Sequence, residues 1–381
     1  MKIAFLTPEF PHPKTGTSGG IGTSIYNLSK GITQLGHTVF VLVCGQDQDE
    51  MFVEDGITYI RIKNIKIKGF SRFLTQLKIE KIINQLVKVE QLELVEVPDW
   101  IGITSSIKPK CPVVIRLNGS DTYFCHLDAR PVKFLNKWYE KKALQNADAF
   151  LSVSQYTADL TKELFRLNVD FEIIPNSIDV TQFSNDSSIV QDENTILYFG
   201  TLIRKKGLLE LPLIFNEVYK RNNKTKLILI GKDASDVLTQ SPSTWKLMQS
   251  LFDDEAKQNV SYLGSVAYDK IKKHINASTV CVFPTFAEAL PVSWIEAMAM
   301  EKAIVASNIG WAVEVINDSE NGYLVNPKNH YEYASKILEL IENKDKRQQF
   351  GLAARKKVEQ YFSIEVIAAK SIAFYQNCLS R

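Results

Sequence analysis

Short runs rich in β-branched and aromatic residues alternate with longer helical patterns along the whole chain, and nothing else constrains the fold as much. KIAFLTP from Lys2 reads as a strand. IGTSIYNLSKGITQLG from Ile21 reads as a helix, with Ile25, Leu28, Ile32 and Leu35 on one stripe. HTVFVLVCG from His37 and GITYIRI from Gly56 are the next strands. Phe70 to Val89 is helical, with Ile79, Ile82, Ile83, Leu86 and Val87 on one face. ELVEVPD from Glu93, CPVVIRLNG from Cys111, AFLSVS from Ala149 and EIIPNSID from Glu172 complete a first series. Strands separated by helices cannot close as hairpins, so the pattern implies parallel βαβ units.

The alternation breaks once, at the polar stretch TQFSNDSSIVQDENT from Thr181 to Thr195. A second series then runs TILYFG, KLILIG, VSYLG, TVCVFP, AIVAS and GYLV. The predicted class is α/β: two doubly wound domains, residues 1–180 and 195–362, joined by a linker at 181–194. Two such sheets facing each other create a central cleft between their carboxyl ends. The tail from Ser363 carries Ile364, Ile367, Ala368, Ile372 and Tyr375 on one face. Residues 363–381 are therefore predicted as one amphipathic helix, packing back on the N-terminal domain.

With 381 residues and 45% hydrophobic content, two ordinary globular cores are available. A formal charge of +2 argues against a global nucleic-acid binder, and no nucleic-acid partner is expected. Cys44, Cys111, Cys125, Cys281 and Cys378 show no zinc or redox spacing, and the five histidines show no ligand spacing, so no metal is expected. MKIAFLTPEF is too short in its apolar run for a signal peptide, and no run reaches membrane-spanning length. The expected location is the cytoplasm.

Chemistry concentrates at strand ends. In FAEALPVSWIEAMAM, Phe286 to Met300, Glu288 sits in the loop after the strand TVCVFP, and Glu296 about two turns into the following helix. Open α/β sheets bind ligands at that place. Carboxylate oxygens accept from sugar hydroxyls, so the pair points to a polyhydroxylated ligand. YFGTLIRKKG, Tyr198 to Gly207, places Arg204, Lys205 and Lys206 between a strand end and a helix beginning near Leu208. Charge and free helical N–H groups both favour phosphate there, with a solvated basic turn as the alternative.

In the first half, TGTSGGIG from Thr15 matches the TGxxxGIG loop of short-chain dehydrogenases. In those enzymes the loop follows the first strand directly. Here PEFPHPK intervenes, with Pro8, Pro11 and Pro13, and the YxxxK matches Tyr26/Lys30 and Tyr268/Lys272 are misplaced. Gly19 and Gly20 suit instead a loop passing close to a ligand's phosphate or sugar, or a flexible loop. Asn118 in RLNGSD ends another strand and either bonds a sugar hydroxyl or forms a plain Asn-Gly turn. Asp121, Tyr123 and His126 are candidates for lining the same cleft.

Taken together, these segments resemble the retaining GT-B glycosyltransferases of family 4, also called group 1, over essentially the whole chain. The resemblance is carried by GGIGTSIYNLSKGITQLGHTVFV, ADAFLSVS, IPNSID, GTLIRKKG, AEALPVSWIEAMAM and EVINDSENGYLV. It implies that Glu296 binds the nucleotide ribose and Glu288 lies against the donor sugar. It places the backbone of Ala289, Leu290 and Val292 toward sugar and diphosphate, with Lys206 and Arg204 on the diphosphate. Gly200 and Thr201 belong to the same donor loop. Thr201 stands where the family has an arginine, Asn118 where many members have a histidine, and Pro291 where glycine is frequent.

The implied activity is a hexosyltransferase-type transfer from a nucleotide diphosphate sugar to a hydroxyl acceptor, retaining and metal-independent, with no cofactor. Polysaccharide, lipopolysaccharide or lipid-linked glycan assembly is the implied setting, and a glycan or lipid-linked acceptor the partner. Rival readings are a glycosidase using Glu288 and Glu296, a GT-B-like nucleotide-sugar epimerase, and a silent sugar-nucleotide binding subunit. Arg61 to Lys88 holds many Lys and Arg and one acid, Glu80. It suits either peripheral docking on an anionic membrane surface, at the inner face of the cell membrane, or an ordinary packed helix with a basic solvated side.

Overall fold

The structure, a computed structural model, describes residues 1–381 other than 17, 187, 190 and 381, with the backbone alone at 268 and 269. Thr17 of the glycine loop, Ser187 and Val190 of the expected linker, Arg381 and the side chain of Tyr268 thus lie outside the described residues. The chain divides into two compact units, Met1–Ser177 together with Phe362–Arg381, and Ile178–Tyr361.

The first unit holds strands β1 (Lys2–Thr7), β2 (Thr38–Gln46), β3 (Glu50–Glu54), β4 (Ile57–Lys63), β5 (Leu94–Pro98), β6 (Val113–Leu117), β7 (Ala149–Ser152) and β8 (Glu172–Ile173). They form one sheet in the order β3-β4-β2-β1-β5-β6-β7-β8. Helices α1 (Gly20–Gln34), α2 (Ser71–Glu90), α3 (Asp121–Leu127), α4 (Phe134–Asn146) and α5 (Gln155–Phe165) connect them. Only β3 runs antiparallel, and the sequence reading missed it. Its hairpin to β4 turns on Asp55 and Gly56, both at positive φ (49° and 75°), the mirror-image turn that fits the right-handed twist of strands.

The pleat sorts this core into two layers. Leu6, Leu42, Ile60, Val95 and Ile115 face Ile79, Ile83 and Leu86 of α2. Ile3, Phe5, Val39, Val41 and Leu151 face Ile25, Leu28 and Ile32 of α1. Each such side chain, fully buried, contributes about 1.5–3 kcal/mol.

The second unit repeats the plan with β9 (Thr195–Phe199), β10 (Lys226–Ile230), β11 (Val260–Tyr262), β12 (Val280–Phe283), β13 (Ala303–Ser307) and β14 (Tyr323–Val325). The order is β11-β10-β9-β12-β13-β14, with all pairs parallel. Its helices are α6 (Leu211–Arg221), α7 (Thr244–Gln249), α8 (Asp254–Lys257), α9 (Tyr268–Ala277), α10 (Val292–Ala299), α11 (Ala312–Val315), α12 (His330–Glu342) and α13 (Lys344–Tyr361). Both sheets reverse direction of growth beside their first strand, between β1 and β5 and between β9 and β12. Ligands of open α/β sheets bind outside the carboxyl ends at such points. The polar stretch before β9 packs on this unit: Phe183 is buried, and the Asp192 N–H donates to the Ala277 carbonyl at 3.0 Å.

The last helix, α14 (Ile364–Leu379), returns to the first unit. Ser363 caps it by accepting from the Val366 N–H. Ile367, Ala368, Ile372 and Tyr375 join the layer beneath α1. The approach is close at Gly31, where a Cβ would stand 2.9 Å from the Ala368 Cβ and from the Ile364 carbonyl oxygen. Beneath α14 runs a buried polar network. Arg116 donates from Nε (2.7 Å) and Nη2 (3.1 Å) to Glu96, and from Nη1 to the Ile174 carbonyl (2.8 Å). Tyr375 donates its hydroxyl to Glu96 at 2.5 Å. Among the described residues, no helix is long and apolar enough to cross a membrane.

Candidate active site

In the second unit the two strands that flank the reversal carry the two loops singled out in the sequence. The loop after β9 holds Gly200, Thr201, Arg204 and Lys206, and the loop after β12 holds Glu288, Ala289, Leu290 and Pro291. Backbone bonds tie the loops together: the Phe286 and Ala287 N–H groups both donate to the Lys205 carbonyl, at 2.8 and 3.2 Å. Gly207 makes this approach possible. It sits at φ +72°, and a Cβ there would lie 1.8 Å from the Pro284 carbonyl oxygen. Lys206 Nζ then meets Glu288 Oε1 at 2.9 Å, both side chains about one fifth exposed. Gly200, at φ +142°, leaves its missing Cβ 3.6 Å from the same Nζ.

Arg204 is held differently. Asp236, in the loop after β10, accepts from its Nε (2.7 Å) and Nη2 (2.8 Å) and also from the Thr239 N–H and hydroxyl. The hydrogen bonds from Arg204, outweighing burial, pull the Asp236 carboxyl well below its ordinary range, and the Arg204 pKa is raised in turn. The guanidinium is thereby fixed in one orientation, with one face of its fork already used. Sequence reasoning missed Asp236. Its only signal was an acid in a loop at a strand's carboxyl end, which names no partner.

Two local expectations are corrected. The helix after the basic loop begins at Leu211, not near Leu208. Arg204–Lys206 form a single 3-10 turn, and Gly207 at positive φ ends it before α6 can start. Glu296 lies little more than one turn into α10, not two, because Pro291 occupies the N-cap and holds the chain extended up to that point. Proline offers no side-chain acceptor, so the α10 start carries no side-chain cap. Val292 opens the helix, and Glu296 is 4% exposed within it.

Gly19, Gly20 and Asn118 belong to the first unit. Gly19 is the N-cap of α1 and Gly20 its first residue, both exposed. The Glu9 carboxylate sits over this helix start: Oε1 accepts from the Gly22 N–H at 3.1 Å and lies 3.2 Å from the position of a Gly19 Cβ. An acid there opposes a phosphate by charge and can accept from hydroxyls. Among the described residues, nothing stands within 4 Å of a Cβ at Gly20. Asn118 follows β6. Its N–H donates to Asp99 Oδ1 at 2.9 Å, and its side-chain Nδ2 donates to the Arg116 carbonyl at 3.3 Å. Of the nearby candidates, Tyr123 is fully buried and Asp121 is engaged by Asn136 and Arg130. His126 lies exposed in the last turn of α3.

Asp99, the residue after β5, is 3% exposed, and its Oδ2 has no hydrogen-bond partner among the described residues. Burial pushes its carboxyl up to about 7, with Glu140 adding to the effect and the Asn118 amide opposing it. The folded chain therefore holds a proton that the unfolded chain releases near pH 4. That contribution to stability is fully present below pH 4 and is lost as pH rises through 7. Asp99→Asn is expected to flatten the fall in stability across this window and to gain roughly 1–3 kcal/mol over the wild type at pH 8. Urea titrations at pH 5 and 8 read the difference; equal slopes for the two proteins would show that Asp99 is ionised when folded.

Comparison with known proteins follows the same division. Residues 18–182 match the family described as Glycosyltransferase Family 4, and residues 179–357 the family described as Glycosyl transferases group 1. The alpha-maltose-1-phosphate synthase of Mycolicibacterium smegmatis is 24% identical, covering 99% of this chain and 99% of its own. The structure of a sucrose-phosphate synthase from Thermosynechococcus elongatus superposes with a TM-score of 0.80 at 19% identity, covering 100% of this chain and 99% of its own. Anabaena HepE, solved in complex with UDP and glucose, superposes with a TM-score of 0.75 at 17% identity, covering 99% and 100%.

Proposed function

We propose that this chain, which belongs to the group 1 glycosyltransferases of the family 4 type and has their GT-B fold, moves a hexosyl residue from a nucleotide diphosphate sugar to a hydroxyl acceptor, with retention at the anomeric carbon and without a metal. The observation that carries the proposal is the Lys206–Glu288 pair at the point where the second sheet reverses. One cation and one carboxylate, side by side, match the two ends of such a donor: phosphate for Lys206, sugar hydroxyls for Glu288. HepE holds UDP on the same fold, which supports a nucleotide diphosphate as the leaving group.

In this reading negative charge grows on the diphosphate as the glycosidic bond lengthens. Lys206 and the remaining edge of the Asp236-held Arg204 stabilise that charge without having to reorganise, which is usually the largest catalytic contribution. The acceptor oxygen is positioned beside the departing phosphate oxygen, which takes its proton. Glu288 orients the sugar and supports its hydroxyls. Gly200, Thr201 and the backbone of Ala289, Leu290 and Val292 line the donor, while Glu296 takes the ribose. Gly19 and Gly20 at the α1 start and Asn118 after β6 are proposed as sugar-binding positions of the first unit. A glycosidase would need two carboxylates flanking one bond and no basic loop. Here Glu296 is almost wholly buried and Glu288 is paired with a lysine, so that rival is not favoured.

The test combines two measurements. UDP, GDP and ADP are added in turn and the melting temperature followed, since only a nucleotide that binds the folded state raises it. Nucleotide release from the corresponding sugar donors is then measured with and without acceptor extracts. Acceptor-dependent release supports transfer. Stabilisation without such release would indicate an epimerase or a silent binding subunit, and no stabilisation by any nucleotide would remove the donor site. Glu296→Gln keeps the buried shape and removes the charge. It is expected to weaken the stabilising nucleotide about tenfold, the loss of roughly 1.5 kcal/mol from one charge-assisted bond. Unchanged affinity in calorimetry would take Glu296 out of the site.

A further inference from the structure

The first unit carries an exposed apolar and basic face that the transfer reaction does not use. At the start of α4, Phe134 is 80% exposed, Leu135 60% and Trp138 44%. Large apolar side chains this open rarely adjoin one another on a surface that meets only water. Every charge this helix leaves at the surface is positive: Lys133 at its N-cap and Lys141 are exposed, and Lys137 and Lys142 half-buried. Its one acid, Glu140, is buried and accepts from the N–H groups of Asp121 and Thr122 and the Thr122 hydroxyl. The acids of the preceding segment, Asp121 and Asp128, are paired with Arg130.

The start of α2 adjoins this face. Arg72 stacks on the Tyr139 ring at 3.9 Å and donates to the Ile101 and Gly102 carbonyls, and Tyr139 lies edge-on to Trp138 at 5.0 Å. Phe70 and Phe73, flanking Arg72, are 62% and 47% exposed. The structure therefore changes the weight given to the basic helix in the sequence. Arg72 is turned inward, and Lys78 is spent on Asp49 at 2.6 Å and the Lys63 carbonyl at 2.9 Å. Lys81 and Lys88 stay exposed farther along α2, while Phe70 and Phe73 lie open at its start and Phe134, Leu135 and Trp138 at the start of α4.

We infer that the starts of α4 and α2 form one surface that docks on an anionic lipid bilayer. Phe134, Leu135 and Trp138, with Phe70 and Phe73, seat at the boundary of headgroups and acyl chains, where aromatic side chains with a lysine collar belong. Lys133, Lys137 and Lys141 meet anionic headgroups. Charge complementarity decides the occupant: a second copy would bring like-charged lysines together, whereas an anionic leaflet attracts them.

Flotation with vesicles of phosphatidylglycerol and phosphatidylcholine, against phosphatidylcholine alone, tests this on the full-length protein. Binding is expected on the anionic vesicles at low salt and is expected to weaken as salt shortens the screening length. The exposed-site variants Phe134→Ser/Leu135→Ser/Trp138→Ser and Lys137→Glu/Lys141→Glu should each reduce binding about tenfold or more. Their melting temperatures should stay at the wild-type value, and the lysine variant changes one exposed and one half-buried side chain without touching the apolar cluster, so it remains informative should the first misfold. Wild-type protein left at the bottom of the gradient at low salt would overturn the inference, as would full binding by both variants. So would a concentration-dependent dimer in light scattering that both variants abolish, since the occupant would then be a second copy.

Discussion

Lys206→Ala is expected to lower turnover about 10²–10³-fold, equivalent to roughly 2.7–4 kcal/mol of lost stabilisation of a developing anion. The size of the effect follows from how the lysine is held. Its ammonium stands 2.9 Å from Glu288 and close to Gly200, on a turn locked by Gly207 against the neighbouring loop. A phosphate oxygen replacing Glu288 as its partner finds the charge already in place. In the same loop Thr201 is uncharged, and Arg204 gives one face of its fork to Asp236, so neither fully replaces it. The comparison variant is Arg221→Ala. That arginine stacks on Tyr331 at 4.6 Å and bonds Ser335, away from both loops. Steady-state rates with a saturating donor should separate the two variants by at least tenfold. Equal rates would mean that the diphosphate is held elsewhere.

Arg116→Ala is expected to destabilise the first unit by about 3–5 kcal/mol, because it strands the Glu96 carboxylate in the core. Arg116 and Glu96 are each 3% exposed. The Tyr375 hydroxyl is then the one hydrogen bond left to Glu96 from this network. Replacing both ions removes the stranded charge: Arg116→Met with Glu96→Leu should recover most of the loss, at the expense of a partner for the Tyr375 hydroxyl. Urea denaturation of the three proteins makes the comparison. A loss below about 1 kcal/mol for the single variant would show that Glu96 reaches water or another cation.

Much of the architecture was legible because periodicity reports burial directly. Every strand expected in the second half is present, and the stripe Ile79, Ile83, Leu86 faces the core as its spacing required. The β3–β4 hairpin was missed although Asp55-Gly56 is a strong turn signal. Its outward Met51 and Val53 are exposed and give β3 no clean apolar face. The candidate site was legible where charged residues coincide with strand ends, as for Lys206 and Glu288, which the fold brings to 2.9 Å of each other. It was not legible where a contact joins distant loops. Asp236 lies 32 positions from Arg204 and Glu9 lies 13 from Gly22, and no local pattern reports either bond. The two helix ends were misjudged for a related reason: a glycine at positive φ and a proline N-cap each delay a helix that composition alone would start sooner.

The route of the chain through the two units sets an order on synthesis. The second unit is one uninterrupted segment, complete once Tyr361 has been made. The first is assembled from two separate segments, and Ile367, Ala368, Ile372 and Tyr375 are translated only after the whole of the second unit. Until α14 has emerged, the layer beneath α1 is uncovered and the buried Glu96 lacks one of its partners. The unit that begins first therefore finishes last, and in that interval its open apolar face is where chaperones and proteases act. A nascent chain stalled after Tyr361 should hold a protease-resistant second unit beside a cleavable first one. Loss of α14 should therefore expose residues of the first unit that were made before the second unit began.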